Sequence, residues 1–149
     1  ANGVIDDQFA WVFDNGSLVL LGDIFDRDDQ VTECLWLVYK LEREAALANG
    51  KVHLILGNHE IMVLSGDHRY VNRKYKNMMA VLGKDYQDFF AENTELGRWL
   101  RSKNTIEIIG NTLFSHGGIS PVLISKGLTI NEINEIVRRR AYYWTLGLK

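Results

Sequence analysis

The chain has 149 residues, 46% of them hydrophobic and 24% charged, and a formal net charge of −2 at pH 7. This length and composition fit one soluble domain with its own core, and the charge excludes a strongly basic surface for nucleic acids. No uncharged apolar run is long enough to span a bilayer. The only cysteine, Cys34, excludes an internal disulfide and a thiolate metal cluster, and its apolar helical surroundings predict that it is buried.

The first half of the sequence predicts a strand, a helix and a second strand. Within residues 1–14, aromatic residues stand at every second position from Phe9 to Phe13, which indicates an edge segment or a short strand, and the Asn15-Gly16 pair that follows predicts a turn. Apolar runs predict buried strands at residues 17–21 and 51–56. Apolar residues at helical spacing predict a helix over residues 31–49. This order is typical of parallel strands, whose carboxyl ends lie at one edge of the sheet.

The second half predicts helices that border this edge and a hairpin around Gly110-Asn111. Phe89, Phe90 and three later apolar residues are expected to be buried, and Thr129 or Asn131 is expected to cap the last helix. No repeat, low-complexity tract or linker divides the chain, so we expect a single domain over residues 1–149. The predicted elements are helices at 59–64, 69–82, 85–103, 121–126 and from about 130 to 144, and strands at 105–109 and 112–115.

Three apolar runs end at a glycine that adjoins a potential metal ligand. The first run leads to Asp23, the second to Asn58 and His59, and the third to His116. Carboxylate and amide oxygens and imidazole nitrogens are ligands that divalent metal ions accept in proteins. The sequence therefore predicts a divalent-metal site at the ends of these strands.

These motifs resemble those of calcineurin-like metallophosphoesterases, and especially the bacterial Shewanella-like members of the phosphoprotein phosphatase branch. One departure is Asp28, where the family usually has glycine, and two others are the absent opening Gly-Asp-x-His-Gly motif and the absent last metal-binding histidine. The resemblance implies an α/β sandwich with mixed sheets and flanking helices, of which this chain would be a middle part. The matching residues, in order, are Gly22-Asp23-(x)2-Asp26-Arg27, Gly57-Asn58-His59-Glu60 and His116-Gly117-Gly118-Ile119-Ser120.

The resemblance implies two divalent metal ions in the intact protein, with manganese, iron or zinc as candidates. Asp23 would bridge the two ions, and Asn58 and His116 would bind the second. Because this chain supplies only these three ligands, we expect it to hold at most one ion, weakly. The alternative interpretations are a helix-capping role for Asp23, for which Asp28 and Asp29 are better placed, and a hydrogen-bonded core histidine at position 116.

The resemblance also implies the catalytic and substrate-binding residues. His59 would be the general acid, Asp26 would orient its imidazole, and Arg27 would bind two phosphate oxygens. Asn58 would contact substrate as well as metal. Asp26 and Arg27 can alternatively be a surface ion pair. Arg69, in a Gly-Asp-His-Arg-Tyr-Val segment similar to one in Shewanella-like members, is either a substrate contact or a solvated residue at a helix start.

The function implied is metal-dependent hydrolysis of phosphate monoesters, of the serine/threonine or tyrosine phosphoprotein phosphatase type. The alternatives are a nucleotide or dinucleoside-polyphosphate hydrolase and a non-catalytic binding module that retains the scaffold. We expect the partner to be a phosphorylated substrate, and Glu60 to have a structural rather than a catalytic role. We expect the chain as given to be nearly inactive and the intact protein to be active. A cytoplasmic location is favoured, while export stays open because the sequence begins at Ala1 without methionine.

Overall fold

The strand–helix–strand unit predicted from the first half of the sequence is present. The computed structural model describes residues 3–145, with side chains described as far as residue 141. Strand β1 (Ser17–Leu20) and strand β2 (Lys51–Leu54) pair in parallel and are joined by helix α1 (Val31–Leu47). Because the strands are parallel, the loops that follow them leave the same edge of the sheet.

The predicted hairpin is also present and forms a second sheet. Strand β3 (Ile106–Ile109) and strand β4 (Thr112–Ser115) pair antiparallel around the Gly110-Asn111 turn. Ile55 forms a parallel bridge with Asn104 directly beyond β2. The end of β4, and with it His116, therefore lies near the edge where β1 and β2 end, and the whole is an α/β fold.

Two helices begin later in the sequence than predicted, in each case directly after a residue whose side chain caps the helix. The helix predicted from residue 69 begins at Arg73, because the side chain of Asn72 accepts the Lys74 N–H at 2.9 Å. The helix predicted over residues 85–103 is divided, because Thr94 Oγ1 accepts the Gly97 N–H and starts a new helix. The remaining elements are α2 (Asn58–Leu64), α3 (Arg73–Leu82), a 3₁₀ segment (Tyr86–Phe90), α4 (Glu95–Arg101), α5 (Pro121–Ser125) and α6 (Ile130–Thr145).

The core packs the buried face of α1 against β2 and α4. Two predicted core residues are exposed: Cys34 in the first turn of α1, and Phe89 in the 3₁₀ segment. Cys34 lies on the apolar face of the helix, but it is exposed. Helical spacing predicts which face of a helix is buried, and it does not predict how much of the helix length is covered by other elements. Among residues 3–145, no helix combines the length and the apolar character needed to cross a membrane.

Capping also differs from expectation at α1 and agrees with it at α6. The N-cap of α1 is Gln30, without a side-chain cap, and Asp28 instead accepts the N–H groups of Asp29 and Gln30. At α6, Thr129 Oγ1 accepts the Glu132 N–H, while the Glu132 carboxylate accepts the Thr129 N–H at 2.7 Å. This reciprocal pair is a capping box, and the predicted cap by Thr129 is confirmed.

A buried asparagine joins α6 to the second sheet. Asn134 is 3% exposed, its Oδ1 accepts the N–H groups of Thr105 and Ile106, and its Nδ2 donates to the Ile106 carbonyl.

Replacing Asn134 by alanine should cost about 2 kcal/mol of unfolding free energy, because buried backbone groups lose their partners. Urea denaturation measures this cost, and the exposed Asn131→Ala in the same helix is the matched control. Equal stability of the two variants would contradict the prediction.

Candidate metal and phosphate site

The loops that follow β1 and β2 touch each other through their backbones. Gly22 has φ +76°, and a Cβ built on it would lie 2.3 Å from the Gly57 nitrogen. Only glycine fits both this conformation and this contact. Asp23 follows with φ +56°, and Asn58 follows Gly57, so the two predicted ligands enter the site from adjoining turns.

The buried side chain of Glu60 connects these two loops by hydrogen bonds to the backbone of each. Its side chain is 0% exposed, and its two carboxylate oxygens accept four backbone N–H groups. The Asp23 and Gly57 N–H groups donate to Oε2 at 2.8 and 2.7 Å, and those of Ile24 and Phe25 donate to Oε1 at 2.8 and 3.2 Å. The structural role predicted for Glu60 is confirmed, and its extent could not be read from the sequence.

The structure brings the three predicted metal ligands together. His116 Nε2 lies 3.1 Å from Asn58 Oδ1 and 3.4 Å from Asp23 Oδ2. The other ring nitrogen, Nδ1, donates to the Leu21 carbonyl at 2.5 Å, so that Nε2 faces the two oxygens. His116 Nε2 therefore lies close to donor oxygens that come from the two other strand ends.

The spacing of these donors fits a divalent cation. Ligand atoms about 2.0 to 2.2 Å from a metal lie about 3.0 to 3.5 Å from one another, as the His116 pairs do. A ring nitrogen this close to two oxygens is favourable only if a proton or a cation lies between them. Over the described residues 3–145, no three His, Cys, Asp or Glu side chains form a metal-binding group. The donor set is thus two such side chains plus one amide.

A second cluster, of His59, Asp26 and Arg27, lies next to these donors. The buried carboxylate of Asp26 contacts His59 Nδ1 at 2.9 Å, and Arg27 Nη2 lies 3.4 Å from His59 Nε2. Asp23 links the two clusters, because its Oδ1 accepts the His59 N–H at 3.3 Å. The cluster lines an open pocket of about 350 Å³. The pocket is formed by Asp23, Phe25, Asp26, Arg27, Asp28 and His59.

Arg69 stands apart from this pocket. Its guanidinium forms a bidentate ion pair with Asp67 at 2.8 to 3.1 Å, which lowers the pKa of that carboxyl, and its side chain is 72% exposed. Its Cζ lies 5.6 Å from the ring centre of Tyr70, and Arg27 lies at the same distance from that ring. Arg69 therefore adjoins the site through Tyr70, a residue that the sequence did not single out although it follows Arg69 in the quoted segment.

Comparisons with known proteins agree with this arrangement. The family model for calcineurin-like phosphoesterases matches residues 6–145. The chain is 36% identical over 133 residues to Shewanella-like protein phosphatase 1 of Plasmodium berghei, covering 88% of this chain and 36% of that protein. It is 29% identical over 189 residues to Shewanella-like protein phosphatase 2 of Arabidopsis thaliana, covering 99% of this chain and 47% of that protein.

A solved structure gives the same indication. The cold-active protein-tyrosine phosphatase of a psychrophilic Shewanella species superimposes with a TM-score of 0.89 at 46% identity, over 93% of this chain and 42% of that one. The chain thus spans less than half the length of each of these relatives. By its motifs, its fold and the match over residues 6–145, the chain belongs to the calcineurin-like phosphoesterase family.

Proposed function

We propose that the protein carrying this sequence hydrolyses phosphate monoesters and that this chain supplies its general acid, its phosphate-binding arginine and part of its metal site. The observation that supports this most directly is the buried Asp26–His59 pair. It lies beside Arg27 and is linked through Asp23 to the Asn58 and His116 donors. A proton donor, a cation and metal ligands in adjoining positions are the groups that phosphoester hydrolysis needs.

His59, Asp26 and Arg27 have separate roles in this proposal. Asp26 accepts the Nδ1 proton of His59 and holds the ring so that Nε2 faces the pocket. When His59 carries both protons, Nε2–H is placed to protonate the leaving oxygen of the ester. Arg27 binds two phosphoryl oxygens and offsets the charge that develops on them. Arg69 would be a further substrate contact, and in the structure its guanidinium is paired with Asp67 beside Tyr70.

Asp23, Asn58 and His116 would hold a divalent metal ion, and the spacing of their donor atoms fits one. Calcineurin-like phosphoesterases generally bind two such ions, and manganese, iron and zinc suit this mixed oxygen and nitrogen donor set. When bound, a metal ion supplies charge neutralisation and an activated water. The ion's identity, and a second ion in the intact protein, are part of this proposal.

The substrates we propose are phosphoproteins. The relatives from Plasmodium and Arabidopsis are named protein phosphatases, and the Shewanella structure is named a protein-tyrosine phosphatase. The test is an assay of the intact protein with Mn²⁺. The rates for phosphoserine, phosphothreonine and phosphotyrosine peptides are compared with the rate for a dinucleoside polyphosphate. Faster hydrolysis of the dinucleoside polyphosphate would reject the phosphoprotein assignment, and no hydrolysis of any of them would reject the enzyme.

The 149-residue chain itself should bind at most one Mn²⁺, and weakly, because among residues 3–141 only three side chains donate to the site. Replacing His116 by alanine should weaken this binding more than roughly 100-fold, since even outer-shell partners of a metal contribute about 10- to 100-fold. Isothermal titration with Mn²⁺ and elemental analysis after gel filtration measure affinity and stoichiometry. His68→Ala is the matched control, because His68 packs on Tyr86 instead. Two tightly held ions per chain would contradict the prediction.

A further inference from the structure

Tyr70 contacts two of the side chains to which the proposed function gives roles in the reaction, His59 and Arg27. Its ring packs edge-on against the His59 ring, with centroids 5.4 Å apart and planes at 60°. The Arg27 guanidinium carbon lies 5.6 Å from the same ring centre. The ring is 46% exposed, so it forms part of the surface beside the pocket rather than part of the core.

The segment that contains Tyr70 also holds the backbone of Arg27. Arg27 has φ +64°, a conformation that non-glycine residues seldom adopt without support from their surroundings. Its N–H donates to the Tyr70 carbonyl at 3.0 Å, and its own carbonyl accepts from Asn72 Nδ2 at 2.6 Å. Both backbone polar groups of Arg27 are therefore bonded to this one segment.

The two arginines beside Tyr70 differ in their carboxylate partners. Arg69 is paired with Asp67, whereas the Arg27 guanidinium has no carboxylate partner among residues 3–145 and contacts His59 and the Tyr70 ring. A guanidinium near an aromatic face is attracted by the ring without having its charge neutralised. Such a contact fixes the direction of the side chain and keeps its charge available for an anion.

We propose that Tyr70 is a positioning residue that keeps the Arg27 guanidinium and the His59 imidazole in a fixed relation at the pocket. Its relevance to catalysis rests on the proposed function, but the positioning is a property of this chain alone. The aromatic ring is the part that matters, because no hydrogen bond of the Tyr70 hydroxyl takes part in these contacts.

The direct test is the NMR signal of the Arg27 side-chain Nε–H group, assigned by its disappearance in Arg27→Lys. In the unmodified chain we expect this signal to be displaced by the ring current of Tyr70, and we expect slow rotation of the guanidinium. Tyr70→Leu should abolish both features, whereas Tyr70→Phe and Tyr70→Trp should retain them. Tyr39→Leu removes a ring that contacts Trp36 and Trp99 instead, and should leave the signal unchanged. An unchanged Arg27 signal in Tyr70→Leu would overturn the proposal.

A binding measurement separates this proposal from the proposed function. Titration with inorganic phosphate in the presence of Mn²⁺ should show affinity reduced roughly fivefold in Tyr70→Leu, the size of an exposed ring–guanidinium contact. In an Arg27→Ala background the same substitution should have no further effect, because the ring acts through Arg27. Equal losses in both backgrounds would overturn the positioning role. Absence of phosphate binding by the unmodified chain would count against the proposed function, and the NMR signal would still decide the role of Tyr70.

Discussion

Replacing Glu60 by glutamine should lower the unfolding free energy by about 4 kcal/mol. The Glu60 carboxylate accepts four backbone N–H groups in a fully buried position. An amide has one oxygen, so two N–H groups would face its NH₂ group. Each unsatisfied buried donor costs about 1 to 3 kcal/mol, and the remaining bonds lose the assistance of the negative charge.

Urea denaturation followed by circular dichroism measures this loss. Glu135→Gln is the matched control, because Glu135 is exposed and its ion pair with Arg138 at 2.7 Å contributes little to stability. Glu60→Gln should also weaken Mn²⁺ binding, since the turn that carries Asp23 loses its support. A stability within 1 kcal/mol of the unmodified chain would show that Glu60 does not hold the two loops.

The sequence predicted the fold where one physical signal dominates. Apolar runs between polar turns identified β1, β2 and the hairpin, and helical spacing identified α1, because burial on one or both faces leaves a periodic pattern. The boundaries set by single capping contacts were missed. Asn72 and Thr94 start helices that the apolar pattern alone would extend, and neither side chain is distinguishable from an ordinary loop residue before its hydrogen bond is seen.

The candidate site was predictable to the extent that strand ends determine it. Asp23, Asn58 and His116 each follow an apolar run, and the parallel pairing of β1 with β2 and the bridge at Ile55 bring those runs to one edge. The contacts of Tyr70 were not predictable in this way. They depend on how the irregular segment between α2 and α3 returns to the pocket, and such a path leaves no periodic signal in the sequence.

The two clusters of the site are joined by Asp23, and this connection has a consequence for the chemistry. One oxygen of Asp23 accepts the His59 N–H and the other faces His116. A displacement of Asp23 would therefore alter both the donor set and the position of the proposed general acid. The loop that Glu60 holds therefore affects both clusters of the site.

The proposed role of His59 predicts a loss of activity that depends on the leaving group. In the protein that carries this sequence, assayed with Mn²⁺, His59→Asn should reduce kcat for a phosphoserine peptide by about a thousandfold, within the range of about 10² to 10⁴ typical of general acid catalysis. An alkoxide leaving group needs a proton as its bond to phosphorus breaks. The para-nitrophenolate of the corresponding aryl phosphate is stable without one, so its hydrolysis should fall by about tenfold or less.

The two substrates serve as controls for each other, because a folding defect or a lost metal ion would reduce both rates by the same factor. Asp26→Asn should produce the same selectivity in weaker form, since a neutral amide oxygen accepts the Nδ1 proton less strongly and the amide NH₂ group cannot accept it at all, so that the His59 ring loses its fixed orientation. Equal losses for the alkyl and aryl substrates would assign His59 a structural role. The source of the leaving-group proton would then have to be sought in another group that lines the pocket.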